Sequence, residues 1–120
     1  MSSRLTLSTR VVTGVGETTR CVRFTREADG HVSVLTSPDF RPLEDFLETD
    51  IGGELGELRF VAERARNVQP EPWGFGGDTC HVTVGGDDVL VENDFTGQRV
   101  FLSRSEFLRI LDEYAGAVRG

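Results

Sequence analysis

Hydrophobic positions recur along the chain with two different periods, and the change from one to the other marks its organisation. Leu5 to Val12 reads as a first strand, with Leu5 and Leu7 on one face and Thr6 and Ser8 on the other. Thr19 to Arg26 alternates again, placing Val22 and Phe24 inward and Cys21, Arg23 and Thr25 outward. Asp29-Gly30 is the strongest hairpin signal in the chain, and His31 to Leu35 is the returning strand. Between the first two strands, Thr13 to Glu17 reads as a turn or short loop.

The period then lengthens. Ser37-Pro38 ends the strand-rich part, and Pro42 suits the first turn of a helix, where its missing N–H costs nothing. Leu43, Phe46 and Leu47 follow at helical spacing, and Gly52-Gly53 stop the run. Glu54 to Asn67 reads as a second helix: Leu55, Leu58, Ala62 and Ala65 form its apolar face, and Ala, Glu and Arg favour that state. The short run Leu58 to Ala62 is also compatible with a strand. Gln69-Pro70-Glu71-Pro72 is a stiff connector.

Beyond it, Trp73-Gly74-Phe75-Gly76-Gly77 sets two large aromatics among three flexible residues, either as a recognition loop or as a plug for the core. Cys80, Val82 and Val84 alternate with His81 and Thr83. Turns at Gly85–Asp88 and at Asn93–Gly97 then separate Val89–Val91 from Arg99–Leu102, which makes an antiparallel meander. Ser103-Arg104-Ser105-Glu106 is a capping box. After it, Phe107, Leu108, Leu111, Tyr114, Ala115 and Val118 trace one helical face that needs a sheet to cover. The expected architecture is α+β: one domain over residues 1–120, a mainly antiparallel sheet of about six strands, and helices near 42–49, 54–66 and 104–118.

Composition narrows the chemistry more than the fold. With 120 residues and 38% hydrophobic content, the chain is long enough for one real core. No apolar run approaches a membrane span, and Met1 to Leu7 lacks the apolar stretch of a signal peptide, so a cytoplasmic location is expected. All 13 basic residues are arginine, which removes the phosphate-loop lysine and Schiff-base chemistry. A net charge of −7 disfavours nucleic acid as a partner and suits a basic protein.

Six acids, Glu44, Asp45, Glu48, Asp50, Glu54 and Glu57, lie between Arg41 and Glu57 and form the candidate recognition surface, extended by Asp87, Asp88 and Trp73. Cofactor and metal sites are not expected. Cys80 and His81 are neighbours on a strand and so face opposite sides, and the acids after Gly86 lack calcium-loop spacing. Neither His31 nor His81 has a motif-supplied nucleophile, so no catalytic residue is assigned. Whether Cys21 and Cys80 meet is open at this level.

The stretch Phe75-Gly76-Gly77, the alternating strand, the Gly/Asp turn, Val89-Leu90-Val91-Glu92-Asn93-Asp94-Phe95 and Val100 to Tyr114 together resemble small α+β immunity proteins of bacterial polymorphic toxin systems. The resemblance covers about residues 73–118, with a looser echo in Leu43–Ala65, and its motifs are fold motifs. Where the commoner pattern has Gly-Asn before the strand, this chain has Gly77-Asp78. The resemblance implies a non-enzymatic cytoplasmic protein that binds and neutralises a cognate toxin with a basic surface or cationic active site. The alternatives are an adaptor or homo-oligomeric domain working through sheet edges or the Trp73–Phe75 segment, and a small-molecule binder or hydrolase.

Overall fold

The computed structural model describes residues 5–13, 19–67 and 71–119; for 5–13, 19 and 20 the backbone path alone is described. Among these residues the fold is α+β with antiparallel sheets, as the patterning implies, but the strands number seven and divide into two sheets. Sheet A has the order β1 (Leu5–Thr13), β2 (Thr19–Arg26), β3 (Val32–Thr36); sheet B has the order β4 (Trp73–Gly76), β5 (Cys80–Gly85), β6 (Asp88–Asn93), β7 (Arg99–Ser103). The expected single sheet of about six strands is therefore corrected on both counts. The turn expected at Thr13–Glu17 and the connector Gln69–Pro72 fall partly outside the described residues.

The extra strand is β4. Trp73-Gly74-Phe75-Gly76 does alternate, with aromatics on the core face and bare glycines on the other, but glycine hides a period-2 pattern from a hydropathy reading. The division into two sheets has a different cause, at the outer edge of β3. A 3₁₀ turn (Pro38–Phe40) leads into α1 (Arg41–Asp45), which widens into a π-helical stretch, Phe46–Ile51. Gly52 ends it with φ 56°, and its N–H donates five residues back to the Leu47 carbonyl at 2.9 Å.

From this segment Glu48 accepts from the Val34 N–H at 2.6 Å, and Glu44 accepts from the Thr36 N–H at 2.9 Å. Carboxylates one helical turn apart rise about 6 Å, close to the roughly 6.7 Å between alternate N–H groups on a strand edge. The acids therefore occupy donors that a further strand would use, and sheet A ends there.

α2 (Leu55–Arg66) settles the ambiguous segment as a helix and buries Leu58, Val61, Ala62 and Ala65. α3 (Arg104–Arg119) buries Phe107, Ile110, Leu111, Tyr114 and Ala117. The serine half of its capping box is seen directly, with the Glu106 N–H donating to Ser103 Oγ at 3.1 Å, while the Glu106 carboxylate lies 3.7 Å from Arg109.

One hydrophobic cluster runs through both sheets, from Val22, Phe24 and Val34 to Val82, Val91 and Val100. α3 touches both sheets and joins them. Tyr114 packs its ring 5.5 Å from that of Phe24 in sheet A, while its hydroxyl donates to the Leu47 carbonyl at 3.2 Å. Arg26 donates to the Ala117 carbonyl at 2.6 Å, a cation near the negative end of the helix dipole. On sheet A, Thr25 is buried although the alternation of β2 turns it outward.

Candidate protein-binding surface

The predicted surface residues separate into two groups with different surroundings. Glu44, Glu48 and Asp50 are partly buried and engaged internally. Glu44 also accepts from the Thr36 hydroxyl and lies 3.8 Å from Arg41; Glu48 lies 3.8 Å from His31. Asp50 reaches the other sheet, where its two oxygens accept from the N–H groups of Thr79 (2.9 Å) and Cys80 (2.8 Å). Asp45 accepts from the Asn93 side chain at 2.9 Å, and buried Asn93 in turn accepts from the N–H groups of Phe95 and Thr96. The helical stretch 41–51 is thus a polar seam, with Glu44 and Glu48 on sheet A and Asp45 and Asp50 on sheet B.

Gly77 makes this seam possible. A Cβ there would lie 2.7 Å from both Cβ and Oδ2 of Asp50, so only glycine lets the carboxylate sit over the start of β5.

Glu54, Glu57, Asp87 and Asp88 are exposed. Glu57 stands one turn before Phe60 on α2, and Phe60 leads to the aromatic cluster. Its ring is 6.0 Å from Trp73 and 6.4 Å from Phe75, and the Trp73 and Phe75 rings are 6.2 Å apart. Phe60 is 46% exposed, so this ridge is half in the core and half on the surface. Arg64 lies over the Phe60 ring at 5.6 Å, and a shallow depression of about 430 Å³ opens beside the pair. Asp87 and Asp88 sit at the β5–β6 turn, and Gly85, in the same hairpin, approaches Pro72 just before the ridge. Trp73 thus lies on a strand rather than in a loop, partly buried against the core.

Other candidate chemistry is displaced from this surface. Cys21 lies in sheet A and Cys80 in sheet B, both free thiols. Burial, then the negative charges of Asp50, Asp45 and Asp94, pushes the Cys80 thiol up to about 12, so it is protonated and inert as a nucleophile. Burial also raises Tyr114, assisted by the charge of Glu48 and opposed by a backbone hydrogen bond from Gly53.

His81 faces outward from sheet B, away from Cys80, as strand geometry requires. Its ring nitrogens meet Asp94 at 2.5 Å and Glu92 at 3.2 Å. Sequence reasoning missed this cluster, although Glu92 directly opposes His81 once the β5–β6 hairpin is drawn. With a carboxylate on each nitrogen, the imidazole has no lone pair directed at a nucleophile. Among the described residues, no group of three or more His, Cys, Asp or Glu is arranged to hold a metal. No described helix is long and apolar enough to cross a membrane.

A groove of about 240 Å³ between α2 and α3 has Leu58, Ala62, Leu111 and Ala115 among its lining, with Arg59 and Arg66 beside them. No protein family, curated protein or solved structure matches the chain.

Proposed function

We propose that the chain is a non-enzymatic protein-binding module, an immunity-type inhibitor that docks on a basic toxin domain and blocks it. The observation that carries this reading is the ridge of Phe60, Trp73 and Phe75. These are large aromatics fixed by the core on one side and open on the other, which is how interface anchors are built. Glu54, Glu57, Asp87 and Asp88 supply exposed negative charge, and the net charge of −7 favours a cationic partner at long range. Glu44, Glu48 and Asp50 contribute through the rigidity of the seam, since their oxygens already hold backbone donors.

The test begins with capture of the tagged protein's partner from a lysate of its own bacterial source, followed by co-expression of that partner with and without this chain. Rescue of growth supports the reading; a captured partner that is harmless alone, or whose toxicity is unrelieved, sinks it. With a toxic partner in hand, replacing Glu54, Glu57, Asp87 and Asp88 together by alanine should slow association at low salt by about tenfold and flatten its salt dependence. Unchanged association rates would remove these acids from the interface. A discrete dimer in light scattering without any partner would favour the homo-oligomeric alternative instead.

A further inference from the structure

The two ends of the sheet system nearest the seam are finished differently. The outer N–H groups of β3 at Val34 and Thr36 are held by carboxylates. β4 has no such cover: among the described residues it pairs with β5 alone. Which groups face its open side follows from the hairpin. Gly77 donates to the Cys80 carbonyl at 2.8 Å, so residue 77 points at β5. Alternate residues point the same way, and therefore Phe75 and Trp73 also bond to β5. Gly74 and Gly76 are left with N–H and C=O directed at the open edge.

Both glycines are exposed, and neither has a positive φ. A Cβ at Gly76 would meet nothing within 4 Å, and at Gly74 only the Val82 carbonyl at 3.8 Å. Neither conformation nor internal packing requires glycine there. Bare backbone on an edge strand, beside an aromatic ridge, is the geometry that admits another strand.

We infer that an extended, basic-flanked segment of the partner protein adds to β4 as a fifth strand of sheet B, pairing through Gly74 and Gly76; this deepens the inhibitor reading and rests on it. Charge selects the occupant. The edge is bracketed by exposed Glu71 before it and exposed Asp78 after it. A second copy paired antiparallel about Phe75 would bring Asp78 of each chain beside Glu71 of the other, four acids at the two ends of one short ladder. A segment with arginine or lysine at its ends meets the same acids favourably. Its apolar positions face Phe75 and the ridge, and its remaining side chains lie across the two glycines.

The decisive variant is Gly76→Pro. It removes the outward N–H and leaves the bonds to β5 in place, since proline is tolerated on an edge where its nitrogen faces solvent. Gly76→Ala keeps the N–H and puts its methyl in open space. The probe is a seven-residue peptide of alternating valine and threonine with an arginine at each end, titrated into ¹⁵N-labelled protein. The expected result is saturable shifts of the Gly74 and Gly76 amides. Gly76→Ala should bind within about twofold of the parent, and Gly76→Pro about tenfold or more weakly at unchanged thermal stability. A glutamate-ended peptide should bind less well than the arginine-ended one.

No saturable shift at about 1 mM peptide, or equal binding by Gly76→Pro, overturns strand addition. A dimer in light scattering that Gly76→Pro dissociates also overturns it, assigning the edge to a second copy. Co-expression separates this from the functional reading. Rescue by both the parent and Gly76→Pro discards strand addition and keeps the inhibitor. Rescue by neither discards the inhibitor, and the peptide titration still decides the edge.

Discussion

Gly77→Ala is the most informative single substitution, because its cost should depend almost entirely on one other residue. The methyl would lie 2.7 Å from Asp50 Cβ and Oδ2, so the carboxylate must move off the N–H groups of Thr79 and Cys80, which it now holds at 2.9 and 2.8 Å. Hydrogen bonds to a charged group contribute about 1.5–3 kcal/mol each. Half-solvated Asp50 will recover part of that from water, and losing glycine's unfolded-state freedom returns about 0.4–1 kcal/mol.

The net destabilisation should be about 2–4 kcal/mol. For a chain of this length that corresponds to a fall in Tm of about 8–16 °C. Gly76→Ala, one residue earlier with nothing within 4 Å of the added methyl, should change stability by no more than about 0.5 kcal/mol. Urea titration of Gly77→Ala, Asp50→Ala and the double variant reads the coupling. Asp50→Ala removes the carboxylate but keeps the Cβ that lies 2.7 Å from the added methyl, so the double variant should be worse than Asp50→Ala alone yet cost clearly less than the sum of the two single losses. Additive losses, or a Gly77→Ala cost below about 0.5 kcal/mol, would refute the idea that the carboxylate and the glycine form one unit.

Two further outcomes follow from the same geometry. Glu44→Ala and Glu48→Ala each free an outer N–H of β3. Each should cost about 1–2 kcal/mol in urea unfolding, with faster exchange at the Thr36 and Val34 amides respectively; unchanged exchange would refute the sealed edge. Cys80 has a folded pKa of about 12 against an ordinary 9.0. The stability linked to its neutral thiol is therefore complete below pH 9 and lost as pH rises towards 12. Iodoacetamide at pH 8.5 should label Cys80 only under denaturing conditions, and rapid native labelling would refute its burial.

Much of this architecture was legible because its signals are local. Asp29-Gly30 forms its hairpin, Ser103 caps α3 in the register of the capping box, and the meander from Cys80 to Ser103 pairs as its alternation implies. The acids were misread because their interactions are long-range. Asp50 and Thr79 are 29 residues apart, and Asp45 and Asn93 are 48 apart. In sequence, Glu44, Glu48 and Asp50 are indistinguishable from a solvated acidic face, because nothing near them announces which donors they will meet. Glu54 and Glu57 belong to the same run and do remain exposed. β4 escaped notice because half of its period-2 pattern is glycine.

The position of α3 also has a consequence for how the chain is made. The inner residues of sheet A, Val22, Phe24 and Val34, belong to the first third of the sequence, but α3, which carries Tyr114 onto Phe24 and Ala117 onto Arg26, is made after every other described element. Asp50 likewise waits for Thr79 and Cys80. A nascent chain stopped before Arg104 holds both sheets and the partners of the seam but lacks the helix that covers them. Native packing of sheet A therefore waits until α3 has been made. Incomplete products expose apolar surface that holdase chaperones and proteases recognise, so truncation before Arg104 should reduce cellular abundance rather than yield a smaller working domain.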